Sequence, residues 1–254
     1  MDLGISGKRA IVCASSRGLG RGCAMALAEA GCEIVANGRD AGVLARTADE
    51  IRAAYAVKVT EVPGDVSLPE VQQALLAACP SPDILVNNNG GPPRRDFREL
   101  DRKAILDGVI GNMVTPIELI KAVIDGMAER GFGRIVNITS LSVYVPIPGL
   151  DVSSAARAGL TSFLAGVART VAARNVTINN LLPGKLDTDR LRGAFPSDVP
   201  AEEQRKRLVA DVPAKRLGTP EEFGQICAFL CSVHAGYMTG QNIPVDGGSY
   251  VSAF

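Results

Sequence analysis

The chain contains one histidine, His234, and carries no net charge, because 27 lysines and arginines balance 27 aspartates and glutamates. A single histidine excludes any site that needs two from the same chain, a His-rich zinc centre above all. Balanced charge argues against a basic nucleic-acid binder and against an acidic tail protein. Apolar runs stay short of the roughly 18 residues that a spanning helix needs, so no membrane segment is expected. The start, Met1-Asp2-Leu3-Gly4-Ile5-Ser6-Gly7-Lys8, lacks a basic segment followed by an apolar stretch, and no secretory signal is read there. Tyrosines are few: Tyr55, Tyr144, Tyr237 and Tyr250. Cys-x-x-Cys spacing is missing as well. Cys13, Cys23, Cys32, Cys79, Cys227 and Cys231 are scattered, and read as small core residues in a reducing cytosol rather than as a disulfide or metal framework. Cys227 and Cys231, four apart in a helical pattern, are expected to share a buried face. A cytoplasmic location is the corresponding expectation.

What the 254 residues do contain is an alternation of short apolar runs with longer helical patterns, unbroken by linker, repeat or low-complexity segment. Strands are expected at Arg9–Ala14, Glu33–Asn37, Val57–Val62, Asp83–Asn87, Gly133–Thr139, Val176–Leu182 and Asn242–Val245. Helices are expected after the first strand to near Gly31, then over Ala41–Ala54, Leu68–Ala78, Asp101–Glu129, Val152–Arg174 and Pro220–Cys231. Fully apolar strands separated by helices require right-handed crossovers and a parallel sheet covered on both faces. The expected fold is therefore a single α/β domain over residues 1–254, a Rossmann-type doubly wound parallel sheet with helices on both faces. Such sheets bind ligands at the carboxyl ends of their strands, near the switch point. Lys185–Pro213 breaks the rhythm. It is polar, holds Pro196 and Pro200, and is long for a connection, so it resembles a substrate lid; an ordinary surface excursion is the competing reading.

The first strand runs into Ser15-Ser16-Arg17-Gly18-Leu19-Gly20. Glycines between a buried strand and a helix permit a tight turn and close approach to a pyrophosphate, which the helix start would hold with unpaired N–H groups and its dipole. The second strand leads to Arg39, where a site reading a free ribose hydroxyl would place an acid. Arg39, with Arg17, favours NADP(H) over NAD(H), and NADPH is expected to bind more tightly than NADH.

These residues resemble the short-chain dehydrogenase/reductase family, and the resemblance runs from Lys8 to the C-terminus. The family's Thr-Gly-x-x-x-Gly-x-Gly turn stands here as Cys13-Ala14-Ser15-Ser16-Arg17-Gly18-Leu19-Gly20. Asp65 and Val66 resemble its adenine-contacting segment, and Asn87-Asn88-Asn89-Gly90 its Asn-Asn-Ala-Gly motif. The resemblance implies cofactor contacts at Asn88, Asn89 and Gly90. It implies nicotinamide contacts at Pro183, Gly184 and Thr188, and a relay-water anchor at Asn112. The segments Arg216-Leu217-Gly218-Thr219-Pro220-Glu221-Glu222 and Thr239–Gly248 are typical, and most resemble the β-ketoacyl-ACP reductase-like branch. A homotetramer is the assembly this resemblance implies.

The family's chemistry uses Ser, Tyr and Lys. Ser140 matches the serine, but the tyrosine position holds Ser153 and the lysine position holds Arg157. A serine hydroxyl is shorter and far less acidic than a phenol. Arginine stays protonated and cannot relay a proton, though it can hold a ribose or an anion. Tyr144 and Lys185 are candidate replacements. For Tyr144 the competing reading is an aromatic lining the pocket, and for Lys185 an exposed loop lysine.

Three accounts stay open. The first is an NADP(H)-dependent oxidoreductase acting on a carbonyl or alcohol, with Ser140 orienting substrate, Arg157 holding the nicotinamide ribose, and a water, Tyr144 or Lys185 supplying the proton. The second is a dinucleotide-binding protein without turnover, a sensor or oligomer partner. The third is non-redox chemistry of the halohydrin dehalogenase kind. Those proteins resemble the family and carry arginine at the lysine position, but they keep the tyrosine and lose the Gly-rich turn, the reverse of this chain. Arg94, Arg95, Arg190 and Arg192 suit an anionic or carrier-linked substrate, while Asp96, Asp187 and Asp189 favour reading them as solvated charges.

Overall fold

Alternate residues of the first strand face opposite cores, which is why the strands are apolar throughout. Ala10 and Val12 pack into one buried cluster, with Leu27, Ile34 and Phe223; Ile11 and Cys13 pack into the other, with Leu85, Leu119 and Ile135. Both faces are covered, so neither can be polar. The structure, a computed structural model, describes residues 1–193 and 199–252.

Among those residues seven strands form one sheet: β1 (Arg9–Val12), β2 (Glu33–Gly38), β3 (Val59–Pro63), β4 (Ile84–Asn87), β5 (Gly133–Ile138), β6 (Val176–Pro183) and β7 (Asn242–Val245). Their order is β3-β2-β1-β4-β5-β6-β7, and every pairing is parallel. The helices are α1 (Gly18–Glu29), α2 (Ala41–Ala54), α3 (Pro69–Ala78), α4 (Arg102–Val109), α5 (Thr115–Glu129), α6 (Asp151–Val171), α7 (Asp189–Arg192), α8 (Ala201–Val209) and α9 (Pro220–Cys231). The expected doubly wound sheet is the fold observed. Helices α1 and α9 cross backbone to backbone: a Cβ on Gly22 would lie 2.0 Å from the Pro220 oxygen, and one on Gly224 2.2 Å from the Gly22 oxygen.

One expectation needs correction. The helical region expected over Asp101–Glu129 is divided by a π turn at Ile110–Val114. Pro116 has no N–H for the Asn112 carbonyl, and its ring cannot sit over that carbonyl, so the helix widens one turn earlier. The segment 185–213, expected to be a lid, holds two helices, α7 and α8; Pro196 within it lies outside the described residues. All six cysteines are buried and free, as expected, and burial raises the Cys13 and Cys32 thiols to about 12, which makes them poor nucleophiles. Among the described residues no helix is long and apolar enough to cross a membrane.

Candidate active site at the carboxyl edge of the sheet

The chain winds away from β1 in one direction and from β4 in the other, so these neighbours mark the switch point where a crevice opens. Beyond β1 the backbone turns through Ala14 at φ 45° and Gly18 at φ 54°. Ala14 occupies the left-handed region at a cost of about 1 kcal/mol. It is clamped there: its N–H donates to Asn37 Oδ1 (3.1 Å) and its carbonyl accepts from Asn88 Nδ2 (3.2 Å). Ser15 is fully buried and donates to the Val12 carbonyl (2.8 Å), bracing the turn. The Ser16 carbonyl accepts from Thr47 Oγ1 (2.9 Å). Leu19 packs against the core, and Gly20 lies so close to Ala14 that a Cβ would sit 2.3 Å from its oxygen.

The start of α1 has no side-chain cap and no acid in its first turn, so its N–H groups and positive dipole end are free for an anion. A groove of about 380 Å³ opens beside it, lined by Ser16, Arg17, Gly18, Thr47 and Thr188 among others. Thr188 stands over the turn, its Cγ2 3.5 Å from where a Gly18 Cβ would be. Among the described residues Arg17 makes one ion pair, with Asp40 at 4.0 Å. Arg39 makes no ion pair among the described residues, and one of its guanidinium nitrogens lies 3.6 Å from the Gly90 Cβ position. Asp65 Oδ1 accepts from Ser67 N and Oγ (2.9 and 2.7 Å), and Gly184 N–H donates to the Val245 carbonyl (3.0 Å). An uncapped, acid-free helix start with arginines on both sides fits a phosphorylated dinucleotide.

The floor of the crevice, with the candidate catalytic residues, lies further along the edge. Ser140 follows β5, and its Oγ accepts from Ser142 N–H (3.1 Å). Ser153 and Arg157 are one turn apart on α6, hence on one face. Arg157 is 8 % exposed. Its Nε donates to Ser153 Oγ (3.1 Å) and its Nη1 to the Ile138 carbonyl (2.7 Å). Among the described residues it meets no carboxylate. Burial, and then the Arg190 guanidinium, push its pKa down to about 10, so it remains a cation at neutral pH. Arg157 also lines a small cavity of about 20 Å³ with Val66, Asn87, Asn112 and Thr115. Asn87 Oδ1, Asn112 Oδ1 and Thr115 Oγ1 are buried without partners among the described residues, and the space admits one water. Asn112 donates to the Gly108 carbonyl (3.1 Å), and Asn89 donates to the Gly111 carbonyl (3.2 Å) in the π turn.

Sequence reasoning missed one feature. Asn87 Nδ2 donates to Asn137 Oδ1 (2.9 Å), Asn137 Nδ2 to Asn180 Oδ1 (3.0 Å), and Asn180 Nδ2 to Asn242 Oδ1 (2.8 Å). These residues share one register across β4, β5, β6 and β7, so their amides form a ladder ending at the cavity. An asparagine in each of four strands was the available signal, and only the strand order and register give it meaning.

At the mouth, Tyr144 stacks on Tyr250 with ring centroids 4.8 Å apart. Lys185 is bound to Asp211, the exposed-loop reading rather than a place in the crevice. Asp187 and Asp189 pair with Arg192, and Asp96 with Arg98.

A family model described as enoyl-(acyl carrier protein) reductase matches residues 13–250. The chain belongs to the short-chain dehydrogenase/reductase family. The 3-oxoacyl-(acyl-carrier-protein) reductase of Pseudomonas aeruginosa is 33% identical over 253 residues, 98% of this chain and all of that one. The acetoacetyl-CoA reductase of Cupriavidus necator is 41% identical over 170 residues, 66% of each chain. Among solved structures, the L-sorbose reductase of Gluconobacter frateurii, complexed with NADPH and L-sorbose, superposes with a TM-score of 0.93 at 28% identity, covering 99% of this chain and 100% of that one. Within this short-chain dehydrogenase/reductase, Ala14 keeps a left-handed turn without glycine, and Arg157 buries a cation on the helix face that also carries Ser153.

Proposed function

We propose that this protein is an NADP(H)-dependent oxidoreductase that reduces a carbonyl, or oxidises the corresponding alcohol, with two serines and an arginine in place of the usual acid. The observation that carries this reading is the Arg157 Nε–Ser153 Oγ hydrogen bond. Ser153 Oγ accepts from arginine through a lone pair, which leaves its own hydrogen free to donate. Ser140 is in the same position, its Oγ already accepting from Ser142 N–H. Two O–H donors, one backed by a guanidinium, suit an oxygen on which negative charge develops.

Bound NADP(H) supplies or receives the hydride. Residues 15–20 and the start of α1 would hold its pyrophosphate, and Arg17 and Arg39 its 2′-phosphate. Asp65 and Val66 would hold the adenine. Asn88, Asn89 and Gly90 would border the adjoining ribose, Pro183, Gly184 and Thr188 the carboxamide, and Arg157 the nicotinamide ribose. Ser140 orients the carbonyl. The proton that completes the alcohol passes through Ser153 Oγ and is replaced from solvent, since Arg157 keeps its own. Asn112 positions water behind Arg157, and Tyr144 with Tyr250 forms an aromatic wall of the substrate cleft. The segment 185–213 serves as the lid over an anionic or carrier-linked substrate. A homotetramer is supported by exposed Phe163, Phe229, Val233 and Tyr237, with light scattering as its check.

NADPH consumption across a ketone panel tests this reading. Turnover should be faster with NADPH than NADH, and Arg39→Ala should remove that preference. Ser153→Ala should lower kcat by about 10²-fold, the loss of one oxyanion donor. Cofactor binding without turnover of any ketone would instead favour the sensor reading that the missing phenol suggests.

A further inference from the structure

Three acids of the loops around the cleft are ion-paired, whereas Arg94 and Arg190 make no ion pair among the described residues. Asp187 and Asp189 are taken by Arg192 (2.7 and 2.9 Å) and Asp96 by Arg98 (3.2 Å). Arg190 reaches from α7 across the mouth, donating from Nη1 to the Gly91 carbonyl and from Nη2 to the Pro92 carbonyl, both at 3.1 Å. A Cβ on Gly91 would lie 2.8 Å from that guanidinium, so the loop admits it because residue 91 has no side chain. Arg94 is near enough to lower the pKa of Arg190, and Arg190 lowers that of Arg157 on the floor. Arg94, Arg190 and Arg157 thus form a run of neighbouring cations, none of which makes an ion pair among the described residues, an arrangement that costs free energy until an anion enters.

Resting on the carbonyl-reductase reading, we propose that Arg94 and Arg190 form a subsite for an oxyanion, a carboxylate or phosphate, carried by the substrate away from its reacting carbonyl. Guanidinium is the group suited to this task, since its planar N–H fork matches both anions. Arg190 spends two of its five N–H groups on loop carbonyls and keeps the others for a ligand. The anion would orient the substrate and hold α7 against the Gly91–Pro92 loop. The chemical class is a small keto acid or keto phosphate rather than a neutral ketone.

Paired ketones test this directly. Acetoacetate is compared with its methyl ester, and dihydroxyacetone phosphate with dihydroxyacetone, so the two arms separate carboxylate from phosphate. At least one charged member should exceed its neutral partner by about 10-fold or more in kcat/KM, mainly through KM. Arg94→Ala should erase the preference and leave the neutral ketone's rate unchanged, with partial recovery in Arg94→Lys. Gly91→Ala, which displaces Arg190 without removing a charge, should weaken it as well. Equal rates within both pairs, or a preference that survives Arg94→Ala and Gly91→Ala, would overturn the proposal. If no ketone turns over, calorimetric titration decides. Acetoacetate or inorganic phosphate binding to the wild type and lost in Arg94→Ala supports the subsite even though the reductase reading fails, and no binding overturns it.

Discussion

Replacing Arg157 by methionine should make the protein more stable and inactive at once. The guanidinium is 8 % exposed, has only the Ser153 hydroxyl and Ile138 carbonyl as acceptors among the described residues, and is pushed down to about 10 by burial and then by Arg190. That shift corresponds to about 3 kcal/mol against the charged form. The sign follows from linkage: above about pH 10 the unfolded chain binds more protons than the folded one, so stability rises there toward the unfolded pKa. Below about pH 10 the penalty is fully present, and that includes neutral pH. Methionine has a similar reach and no charge, but leaves two acceptors without a donor at about 1 kcal/mol each. The expected net gain is about 1 kcal/mol, or roughly 2–4 °C in Tm for a chain of this length.

Arg134 supplies the control. It is 1 % exposed and donates to the Ser232, Gly133 and Asn175 carbonyls and to Asn175 Oδ1, with Phe132 stacked at 4.3 Å. Arg134→Met leaves more acceptors unpaired and should cost about 3 kcal/mol or more. Calorimetry on both variants without cofactor, at matched protein concentration, is read beside NADPH turnover. A loss of stability in Arg157→Met as large as in Arg134→Met would make Arg157 a structural residue. Retained turnover would remove it from the chemistry.

Asn180→Val breaks the amide ladder at its centre, leaving Asn242 Oδ1 without its donor and Asn137 Nδ2 with only a 3.4 Å contact to the Asn179 carbonyl. The expected cost is about 2 kcal/mol, seen as a fall of roughly 4–8 °C in Tm, and an unchanged melt would show that the ladder contributes nothing. Glu222 is drawn down to about 2, first by its bonds to Arg216 and then by Thr219 N–H at the start of α9. Its stabilisation is therefore present above about 4.5 and lost as pH falls through about 2. Solvent screening at this exposed site limits it to about 1 kcal/mol. Glu222→Gln should lower the urea midpoint slightly at neutral pH and not at all near pH 2, and an equal loss at both would contradict the ion-pair account.

The sheet was legible because its strands are buried on both faces, and continuous apolar runs with helices between them leave few alternatives. The turn after β1 was legible in position but not in shape. Alanine in place of glycine suggests a changed turn, yet Asn37 and Asn88 hold Ala14 at φ 45°, so side chains from two other strand ends preserve what the substitution disfavours. Pro116 announces a missing hydrogen bond without saying whether a helix kinks or widens. Charge pairing was the least legible. Arg94, Arg190 and Arg192 look equivalent beside Asp96, Asp187 and Asp189 until α7 forms and satisfies both of its nearby acids with Arg192 alone.

The missing tyrosine shows the same boundary between register and geometry. Register places Ser153 and Arg157 at the two positions that matter, and side-chain chemistry alone makes both look disabling. In the fold they are one unit. Arg157 leaves a charge on the floor of the crevice, and its bond to a lone pair of Ser153 leaves that hydroxyl's hydrogen free to donate. A guanidinium that cannot release a proton can still strengthen the donor in front of it, which is why the proposed function keeps an electrostatic site for a developing oxyanion where the family's phenol is missing.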